Sequence, residues 1–453
     1  MSLSDSDLRA AVTAQMPGVL ADLCDLVRIP GIAFEGFDHA QVQRSSEAVA
    51  GLLRGAGLPD VRIVTAGGQP AVIGRRPAPD GAPTVLLYAH HDVQPIGDRT
   101  AWLTEPFEPT ERDGRLYGRG TADDKAGVMA HVAALRAFGD DLPVGVIVFV
   151  EGEEEYGSDS LTDILVGHRD ELAADVIVIA DSGNWDVGQP ALTTSLRWIV
   201  NIFVDVRVLD HAVHSGGYGG AVPDALTTLC RLLATFHDAV GDVAVDGLLG
   251  GPAAPLDYPE DRFRREAGVL DGVSLIGTGR IVDRIWTRPA ISVLGIDAPR
   301  TGEAPNALVP SARAKVSVRI APGDNAKSAL QAVERHVERH APWGAQVVVT
   351  REHDGEPCVL ITTGPAYAAA REAYGAAWDG VAPVHMGVGG SIPFIATFQS
   401  LFPRAEILVT GVEDPDARAH GANESLHLAE FERACLAETL FLSHVARTVS
   451  PTS

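Results

Sequence analysis

The sequence predicts an α/β fold built from two domains, one of which is inserted into the other. At 453 residues the chain is longer than one ordinary core supports, so two domains are expected. Apolar strands alternate with helical segments in the first part, as in a sheet covered by helices. From about residue 194 the pattern becomes β-α-β-β-α-β, and after about residue 357 the first pattern returns. We therefore predict one domain over residues 1–193 and 358–453, and an inserted α+β sandwich over 194–357.

Three continuous apolar runs define the strands of the first domain: Thr84–Tyr88, Val144–Val150 and Val176–Ala180. Runs of this length and β-rich composition are typical of strands buried on both faces. Helices are expected over about 4–28, 38–54 and 126–138, where apolar residues recur at helical spacing. Because parallel strands end at one edge of a sheet, and ligands bind there, the residues after each strand are candidate site residues.

Imidazole and carboxylate side chains follow these strands. His90 and Asp92 come after the first strand, four glutamates between 151 and 155 after the second, and Asp181 after the third. This donor set, without cysteine, suits a catalytic zinc, manganese or cobalt site. A two-metal site also needs a bridging carboxylate and a free carboxylate to take a proton from water. The alternative is a helix cap at Asp123 and Asp124 and a solvated glutamate loop.

The later segments complete the predicted architecture. The inserted domain has expected strands over 198–206, 290–295, 312–320 and 345–349, expected helices over 224–236 and 326–340, and an irregular excursion over 246–273. After it come an expected helix over 366–374, a glycine-rich loop over 387–393, a strand over 405–410 and a last helix over 430–448. His420 follows the last strand after an acidic loop.

Composition excludes several classes of function. A formal net charge of −24 argues against a nucleic-acid surface, which needs clustered Lys and Arg. The amino terminus lacks the pattern of a secretory signal, and no apolar run approaches the roughly 20 residues that span a bilayer. Four cysteines without C-x-x-C spacing indicate neither a disulfide framework nor a cysteine zinc site. We therefore predict a cytoplasmic protein without a nucleic-acid or membrane partner.

Five segments across nearly the whole chain carry a specific resemblance: His90-His91-Asp92-Val93-Gln94-Pro95, Gly118-Arg119-Gly120-Thr121-Ala122-Asp123-Asp124-Lys125, Glu151-Gly152-Glu153-Glu154-Glu155, Ala180-Asp181-Ser182 and His420-Gly421-Ala422-Asn423-Glu424. In this order they resemble the motifs of the dinuclear zinc aminopeptidase-like family. That family contains carnosinase, bacterial dipeptidases, carboxypeptidase G, aminoacylase and succinyl-diaminopimelate desuccinylase. The resemblance implies a zinc-aminopeptidase-like catalytic domain, with a mixed sheet flanked by helices, and an inserted lid and dimerisation domain.

The resemblance also implies a role for each residue of the site. Two divalent metal ions per chain are implied, most simply Zn²⁺, with Mn²⁺ or Co²⁺ as alternatives. Asp123 would bridge the two metals, and Asp92 would orient His90. Glu154 would be the general base, although the run of three glutamates allows a register one residue away. The implied metal ligands are His90 and Asp181 on one ion, Glu155 and His420 on the other, and Asp123 on both.

Implied substrate contacts lie mostly in the inserted domain. His214, in a stretch similar to the family's Asp-Leu-His-Ser-Gly, would stabilise the oxyanion in a partner subunit's site, or would only cap a turn. Arg319 would hold the substrate's carboxylate by bidentate hydrogen bonds, and Asn306 would contact a carbonyl or oxyanion. Gly390 and Ser391, in the glycine-rich loop, are further expected contacts.

One departure from the family pattern concerns specificity. Relatives of the carnosinase type commonly have Arg-Glu where this chain has Gly387-Val388. Overall similarity, including Gln94-Pro95 and Arg288-Pro289, nevertheless favours a homodimeric metallopeptidase that cleaves dipeptides or short amides with a free carboxylate. The first alternative is an N-acyl amino acid deacylase or desuccinylase with the same site. A more remote alternative is an inactive binding homologue.

Overall fold

The computed structural model describes residues 3–352, 358–389 and 393–451. The helices are α1 Asp5–Val27, α2 Ala40–Gly55, α3 Lys125–Phe138, α4 Leu161–Gly167, α5 Ser215–Tyr218, α6 Ala225–Ala234, α7 Glu260–Glu266, α8 Ala326–His340, α9 Pro365–Ala377, α10 Pro393–Leu401 and α11 Leu428–Thr448. The strands are β1 Asp60–Val64, β2 Ala71–Arg76, β3 Thr84–His90, β4 Thr110–Arg112, β5 Arg115–Tyr117, β6 Gly145–Glu151, β7 Val176–Ile179, β8 Ala191–Leu196, β9 Trp198–Arg207, β10 Val213–His214, β11 Ala290–Asp297, β12 Ala307–Leu308, β13 Ser311–Ile320, β14 Gln346–Arg351, β15 Cys358–Val359, β16 Val384–Val388, β17 Glu406–Val409 and β18 Ser425–His427.

The chain divides into two compact units. The first comprises Met1–Thr194, Leu360–Met386 and Thr397–Ser453, and the second comprises Ser195–Val359 and Gly387–Ala396. The described part of Gly387–Ala396 therefore groups with the second unit, whereas we had expected it in the first domain. The reason is local, because the Arg197 amide donates to the Val388 carbonyl oxygen at 3.2 Å.

The main sheet of the first unit has the strand order β1-β2-β6-β3-β7-β17-β8. Its centre is parallel, since β3 pairs in parallel with both β6 and β7, and β17 pairs in parallel with β7. His90 at the end of β3 lies opposite Glu151 at the end of β6. The ends of β3, β6, β7 and β17 therefore share one edge, as the three apolar runs predict. A smaller sheet, β18-β5-β4, lies in the same unit.

Helices α1, α3, α9 and α11 pack together against this sheet and form the main core. Helix α1 has the length and apolar composition that would allow a helix to cross a membrane. However, Leu8, Val12, Val19 and Leu23 of α1 are buried in that core. The apolar face of α1 is thus used in packing, as in a core helix of a globular domain.

The second unit contains an antiparallel sheet of order β11-β13-β9-β14, covered on one face by α6 and α8. Alternate residues of β9, including Val200 and Ile202, point into the core between sheet and helices. The predicted β-α-β-β-α-β order is confirmed. Strand β11 lies at an edge, and Val293, Leu294 and Ile296 are exposed there.

Two local predictions are wrong. Gly387 and Val388 end strand β16, whereas a loop was expected from Gly387 onwards. The excursion at 246–273 contains the short helix α7. Neither change moves a candidate metal ligand.

Candidate metal centre

His90, Asp123 and Asp181 come together at the carboxyl edge of the main sheet. His90 ends β3, Asp181 follows the neighbouring strand β7, and Asp123 precedes helix α3. His90 Nε2 lies 3.1 Å from Asp123 Oδ1 and 4.0 Å from Asp181 Oδ1. One ligand atom of each residue lies within 4.8 Å of the others. This spacing is suitable for one cation bound by all three side chains.

A second group contains Asp123, Glu155 and His420, again with ligand atoms within 4.8 Å of one another. His420 Nε2 lies 3.0 Å from Asp123 Oδ2 and 3.1 Å from Glu155 Oε2. The short sheet helps to position these residues, because β5 leads to the loop before Asp123 and β18 pairs with β5 just after the His420 loop.

Asp123 belongs to both groups, and each of its two carboxylate oxygens faces one of the groups. Oδ1 lies towards His90 and Oδ2 towards His420. A carboxylate in this position has the geometry that bridges two cations. The other donors are imidazole nitrogens and carboxylate oxygens, which suit zinc, manganese or cobalt. The residues present therefore fit a pair of divalent metal ions.

The electrostatics of the centre also favour cations. Burial, followed by the charges of Asp123 and Glu155, raises the pKa of Asp181 to about 7. Hydrogen bonds to Asp123 and Glu155 raise the pKa of His420 to about 11. Burial opposes the charged form of His90, but hydrogen bonds to Asp123 and Asp92 raise its pKa well above the usual value. Besides burial, the neighbouring carboxylates contribute to all three shifts, and either protons or metal ions can offset their negative charge.

Asp92 connects the ligand His90 to the loop that carries Glu154 and Glu155. Asp92 Oδ1 lies 3.3 Å from His90 Nδ1 and accepts a hydrogen bond from the Glu154 amide at 3.1 Å. Asp92 Oδ2 accepts a hydrogen bond from the Glu155 amide at 3.1 Å. This fully buried carboxylate thus orients the imidazole with Nε2 towards Asp123 and fixes the glutamate loop.

Glu154 is half-buried, directly before the candidate ligand Glu155. Burial, followed by the charge of Asp181, raises the pKa of the Glu154 carboxyl well above its usual value. Its neighbour Glu153 differs, because the Glu153 carboxylate accepts hydrogen bonds from the Gln69 and Ser160 amides at 2.8 and 2.6 Å. Glu153 is therefore engaged in holding the loop, whereas Glu154 is suited to proton transfer.

Sequence reasoning assigned no role to Arg119 or Glu424, which form a fully buried ion pair with an Nη1–Oε2 distance of 2.5 Å. Glu424 Oε1 also accepts hydrogen bonds from the amides of Gly120, Ala122 and Asp123 at 3.0, 3.1 and 3.2 Å. Glu424 therefore holds the loop that presents the bridging carboxylate. The available signal was that both residues lie inside the quoted motifs.

Glu413 was also missed. Its backbone forms a parallel bridge to Gly183, two residues after Asp181. Burial, followed by the charges of Asp123 and Asp181, raises the pKa of the Glu413 carboxyl well above its usual value. Glu413, in the loop before His420, is thus a further carboxylate residue whose backbone lies beside the segment that follows Asp181.

Two neighbours of the predicted ligands lie outside both ligand groups. The His91 ring is fully buried, and its Nε2 lies 2.8 Å from the Pro70 carbonyl oxygen. Burial lowers the pKa of His91 to about 4, so it is a neutral donor to that carbonyl. Asp124 Oδ2 accepts a hydrogen bond from the His90 amide at 3.1 Å. Both residues support the backbone around the ligands.

In the second unit, the structure places His214 and Asn306 side by side. His214 pairs with Ala307 between β10 and β12, and the Asn306 carbonyl oxygen accepts from the Ser215 amide at 3.1 Å. Both residues are exposed, and His214 Nδ1 accepts from the Gly216 amide. Arg319 is half-buried near the end of β13. Gly390 and Ser391 lie outside the described residues, and all these contacts stay predictions.

A family model described as peptidase family M20/M25/M40 matches residues 86–444. The chain belongs to this family. The resemblance drawn from the five motifs is thereby confirmed, and the residues of the candidate centre all lie within the matched range. Membership identifies the chain as a peptidase, so the predicted class of enzyme is also confirmed.

Curated proteins and a solved structure resemble the chain along most of its length. It is 38% identical over 423 residues to the cysteinylglycine-S-conjugate dipeptidase of Corynebacterium striatum, covering 89% of this chain and 90% of that protein. It is 29% identical over 366 residues to human β-Ala-His dipeptidase, covering 76% of this chain and 71% of that protein. The solved structure of the dipeptidase Dug1p from Saccharomyces cerevisiae matches with a TM-score of 0.82 at 22% identity. The match covers 99% of this chain and 100% of the Dug1p chain. The predicted fold class is confirmed.

Proposed function

We propose that the chain is a metal-dependent dipeptidase that hydrolyses the bond between two amino acids. The observation that carries the proposal is Asp123, whose two oxygens are shared between two ligand groups. Membership of the M20/M25/M40 peptidases supports hydrolysis of an amide bond. The names of both curated relatives are those of dipeptidases, which favours dipeptides over N-acyl amino acids.

The proposed cofactor is a pair of divalent ions, Zn²⁺ in our proposal and Mn²⁺ or Co²⁺ as alternatives. His90 and Asp181 would hold one ion, Glu155 and His420 the other, and Asp123 both. When bound, the two ions supply Lewis acidity that acidifies water and polarises the peptide carbonyl.

Within this proposal, Glu154 moves the protons. Its carboxylate takes a proton from water as the water oxygen bonds to the carbonyl carbon. When the C–N bond breaks, Glu154 returns that proton to the departing amine. Asp92 is a positioning residue, because the amides of Glu154 and Glu155 both donate to it. The products are one carboxylic acid and one amine, which balances the hydrolysis.

The substrate's free carboxylate is assigned to Arg319, with Gly390 and Ser391 as further contacts of the substrate. Arg319 carries a guanidinium whose pKa burial lowers. A cation that is partly removed from water gains more from an anionic ligand than an exposed one does. This assignment predicts that dipeptides are cleaved faster than their C-terminal amides.

We propose a homodimer through the second unit, in which His214 and Asn306 complete the partner's site. The exposed edge strand β11 supports this assembly, because Val293, Leu294 and Ile296 are 45, 56 and 41% exposed. An apolar edge strand is protected when another strand pairs with it. Ile296→Lys should give monomers by light scattering, and activity should fall with the dimer fraction.

We also propose a cytoplasmic location. The four cysteines, all within the described residues, are free thiols. Reduced thiols persist where glutathione and thioredoxin maintain them. Cell fractionation tests this proposal, and enrichment of the protein in the extracellular fraction would refute it.

A substrate panel tests the dipeptidase proposal. The chain loaded with Zn²⁺ or Mn²⁺ is assayed with cysteinylglycine, an S-alkylcysteinylglycine, β-alanylhistidine, and the N-acetyl and N-succinyl forms of alanine. We expect hydrolysis of dipeptides to dominate. Predominant cleavage of the acylated amino acids would instead establish a deacylase or desuccinylase, the first alternative.

Metal content and Glu154 variants test the centre itself. We expect about two bound metals per chain, and fewer than one after loading would favour an inactive binding homologue. Glu154→Gln should lower kcat by about 10²- to 10⁴-fold, the range for a general base, and keep both metals. Glu153→Gln is the comparison within the same loop: it gives up one of two amide hydrogen bonds, so it should lower stability but reduce kcat less than Glu154→Gln does. Full activity in Glu154→Gln would move the base to another residue.

A further inference from the structure

Arg197, between β8 and β9, is a buried arginine without an acidic partner among the described residues. Its residue is only 8% exposed, and no carboxylate of the described residues pairs with its guanidinium. The other strongly buried arginines of the described chain differ, since Arg119 pairs with Glu424 and Arg115 with Asp414 at 2.5 and 2.7 Å. A buried cation that lacks a counter-ion is costly, so its retention needs a reason.

The hydrogen bonds of Arg197 do not supply that reason. Its Nη1 donates to the carbonyl oxygens of Arg284 and Arg288, both at 3.3 Å, which is long for N–H···O bonds. Its Nε is buried and has no partner within the described part of the chain. A guanidinium offers five N–H donors, and described residues accept hydrogen bonds from Nη1 alone.

A second cation lies close to Arg197. Arg197 directly precedes β9, and Arg319 on β13 pairs with Ile199, two residues after Arg197; paired residues on neighbouring strands point to one side of the sheet. That side is opposite the core face, to which Val200 and Ile202 belong. Burial and the charge of Arg319 lower the pKa of Arg197 to about 10. Two guanidiniums therefore repel each other here without an intervening anion among the described residues.

Glycines allow backbone to lie against Arg197. A Cβ atom at Gly389 would be 2.8 Å from Arg197 Nη2 and 2.9 Å from the Ile285 carbonyl oxygen. The Val388 carbonyl oxygen accepts from the Arg197 amide at 3.2 Å. The described surroundings of the guanidinium thus consist of carbonyls and glycine backbone, which restrict its position without neutralising its charge.

We propose that Arg197 and Arg319 together bind one carboxylate, and that this ligand is the free carboxylate of the dipeptide. The inference rests on the proposed dipeptidase function and adds Arg197 as a specificity-determining residue. A carboxylate has four acceptor positions, enough for both guanidiniums, and it offsets their repulsion. A neutral carboxamide supplies no negative charge, and its NH₂ group, itself a donor, would face the N–H donors of the two guanidiniums.

The test compares each substrate with its carboxamide. The best dipeptide of the substrate panel and its C-terminal amide are assayed with the metal-loaded wild type, Arg197→Gln and Arg319→Gln. We expect Arg197→Gln to lower kcat/KM for the free dipeptide by about 10- to 100-fold, mainly through KM, as for loss of a charged hydrogen bond. For the amide we expect less than about a threefold change, since no carboxylate is present to lose. Equal losses on both substrates would mean a structural role and would overturn the proposal.

Two further variants separate binding from folding. Arg313→Gln is the matched control, because Arg313 lies on the same strand as Arg319 but its guanidinium pairs with Asp205 at 2.7 Å. It should leave the preference for the free carboxylate unchanged. Gly389→Ala keeps both arginines but presses a methyl group on Nη2, and should weaken that preference.

Ligand binding distinguishes failure of this inference from failure of the dipeptidase proposal. N-acetylglycine and N-acetylglycinamide are titrated calorimetrically into the metal-loaded Glu154→Gln chain, with and without Arg197→Gln. Preference for the carboxylate that disappears with Arg197→Gln supports the anion site even if no dipeptide is cleaved. Equal binding of both ligands, no binding of either, or a preference that survives Arg197→Gln would refute it.

Discussion

Replacing Glu424 with Gln tests whether a residue that contacts no metal controls the metal centre. Glu424 Oε1 accepts from three amides of the loop 120–123, and Oε2 accepts from Arg119 and from the Gly120 amide. A carboxamide has one oxygen, so Glu424→Gln must abandon either the amides or Arg119. Breaking a buried ion pair costs about 3–5 kcal/mol. Displacing the Asp123 loop should lower metal affinity by about 10- to 100-fold, the usual effect of losing an outer partner of a ligand.

Competition with a chromophoric chelator measures the metal affinity, and thermal denaturation of the metal-free chain measures the stability. Glu430→Gln is the matched control, because Glu430 is equally buried and accepts from Trp378 Nε1 at 2.8 Å and from Arg433 at 2.5 Å. We expect both variants to lose stability and only Glu424→Gln to lose metal affinity. Unchanged affinity in Glu424→Gln, or equal losses in both, would refute the positioning role.

Other predictions concern protons and positioning. Asp92→Asn should lower metal affinity and kcat by about 10- to 100-fold, measured by chelator competition and initial rates. Because the pKa of His420 is raised to about 11, metal binding at pH 8 should release about one proton that His420→Gln does not release, measured by calorimetry in buffers of different ionisation enthalpy. Burial opposes the charged form of His131, but Glu438 raises its pKa, so this pair stabilises the fold below the unfolded pKa and less as pH rises through the folded one. His131→Gln should therefore cost about 2 kcal/mol at pH 6 and less at pH 9 in thermal denaturation.

The strands and candidate ligands were predictable for physical reasons. The apolar runs that became β3, β6 and β7 have the length and β-rich composition of buried strands, and His90 and Asp181 lie at the ends of two of them. By contrast, Arg119 and Glu424 are 305 residues apart, and no local pattern links an arginine in one loop to a glutamate in another.

Roles that depend on contacts with the backbone could not be predicted from the sequence either. The acceptor role of Asp92 towards the Glu154 and Glu155 amides depends on the conformation of a loop without regular periodicity. Strand β16 was missed because Gly387 has low strand propensity. Its neighbour Val388 is fixed by a backbone hydrogen bond, which its carbonyl oxygen accepts from the Arg197 amide. That Arg197 has no carboxylate partner among the described residues likewise became visible only once its neighbours were known.

The place of β17 within the main sheet has a consequence for synthesis. This strand lies between β7 and β8, yet it follows the whole inserted unit in the chain. While the ribosome is still translating the second unit, β7 and β8 of the nascent chain therefore each have an unpaired edge where β17 will later lie. Such edges can pair with strands of other chains. His420 emerges only after β17, so a metal ion held as proposed would stabilise the first unit only once this gap in the sheet is filled. Ribosome-bound chains that end before β17 should accordingly depend most on chaperones.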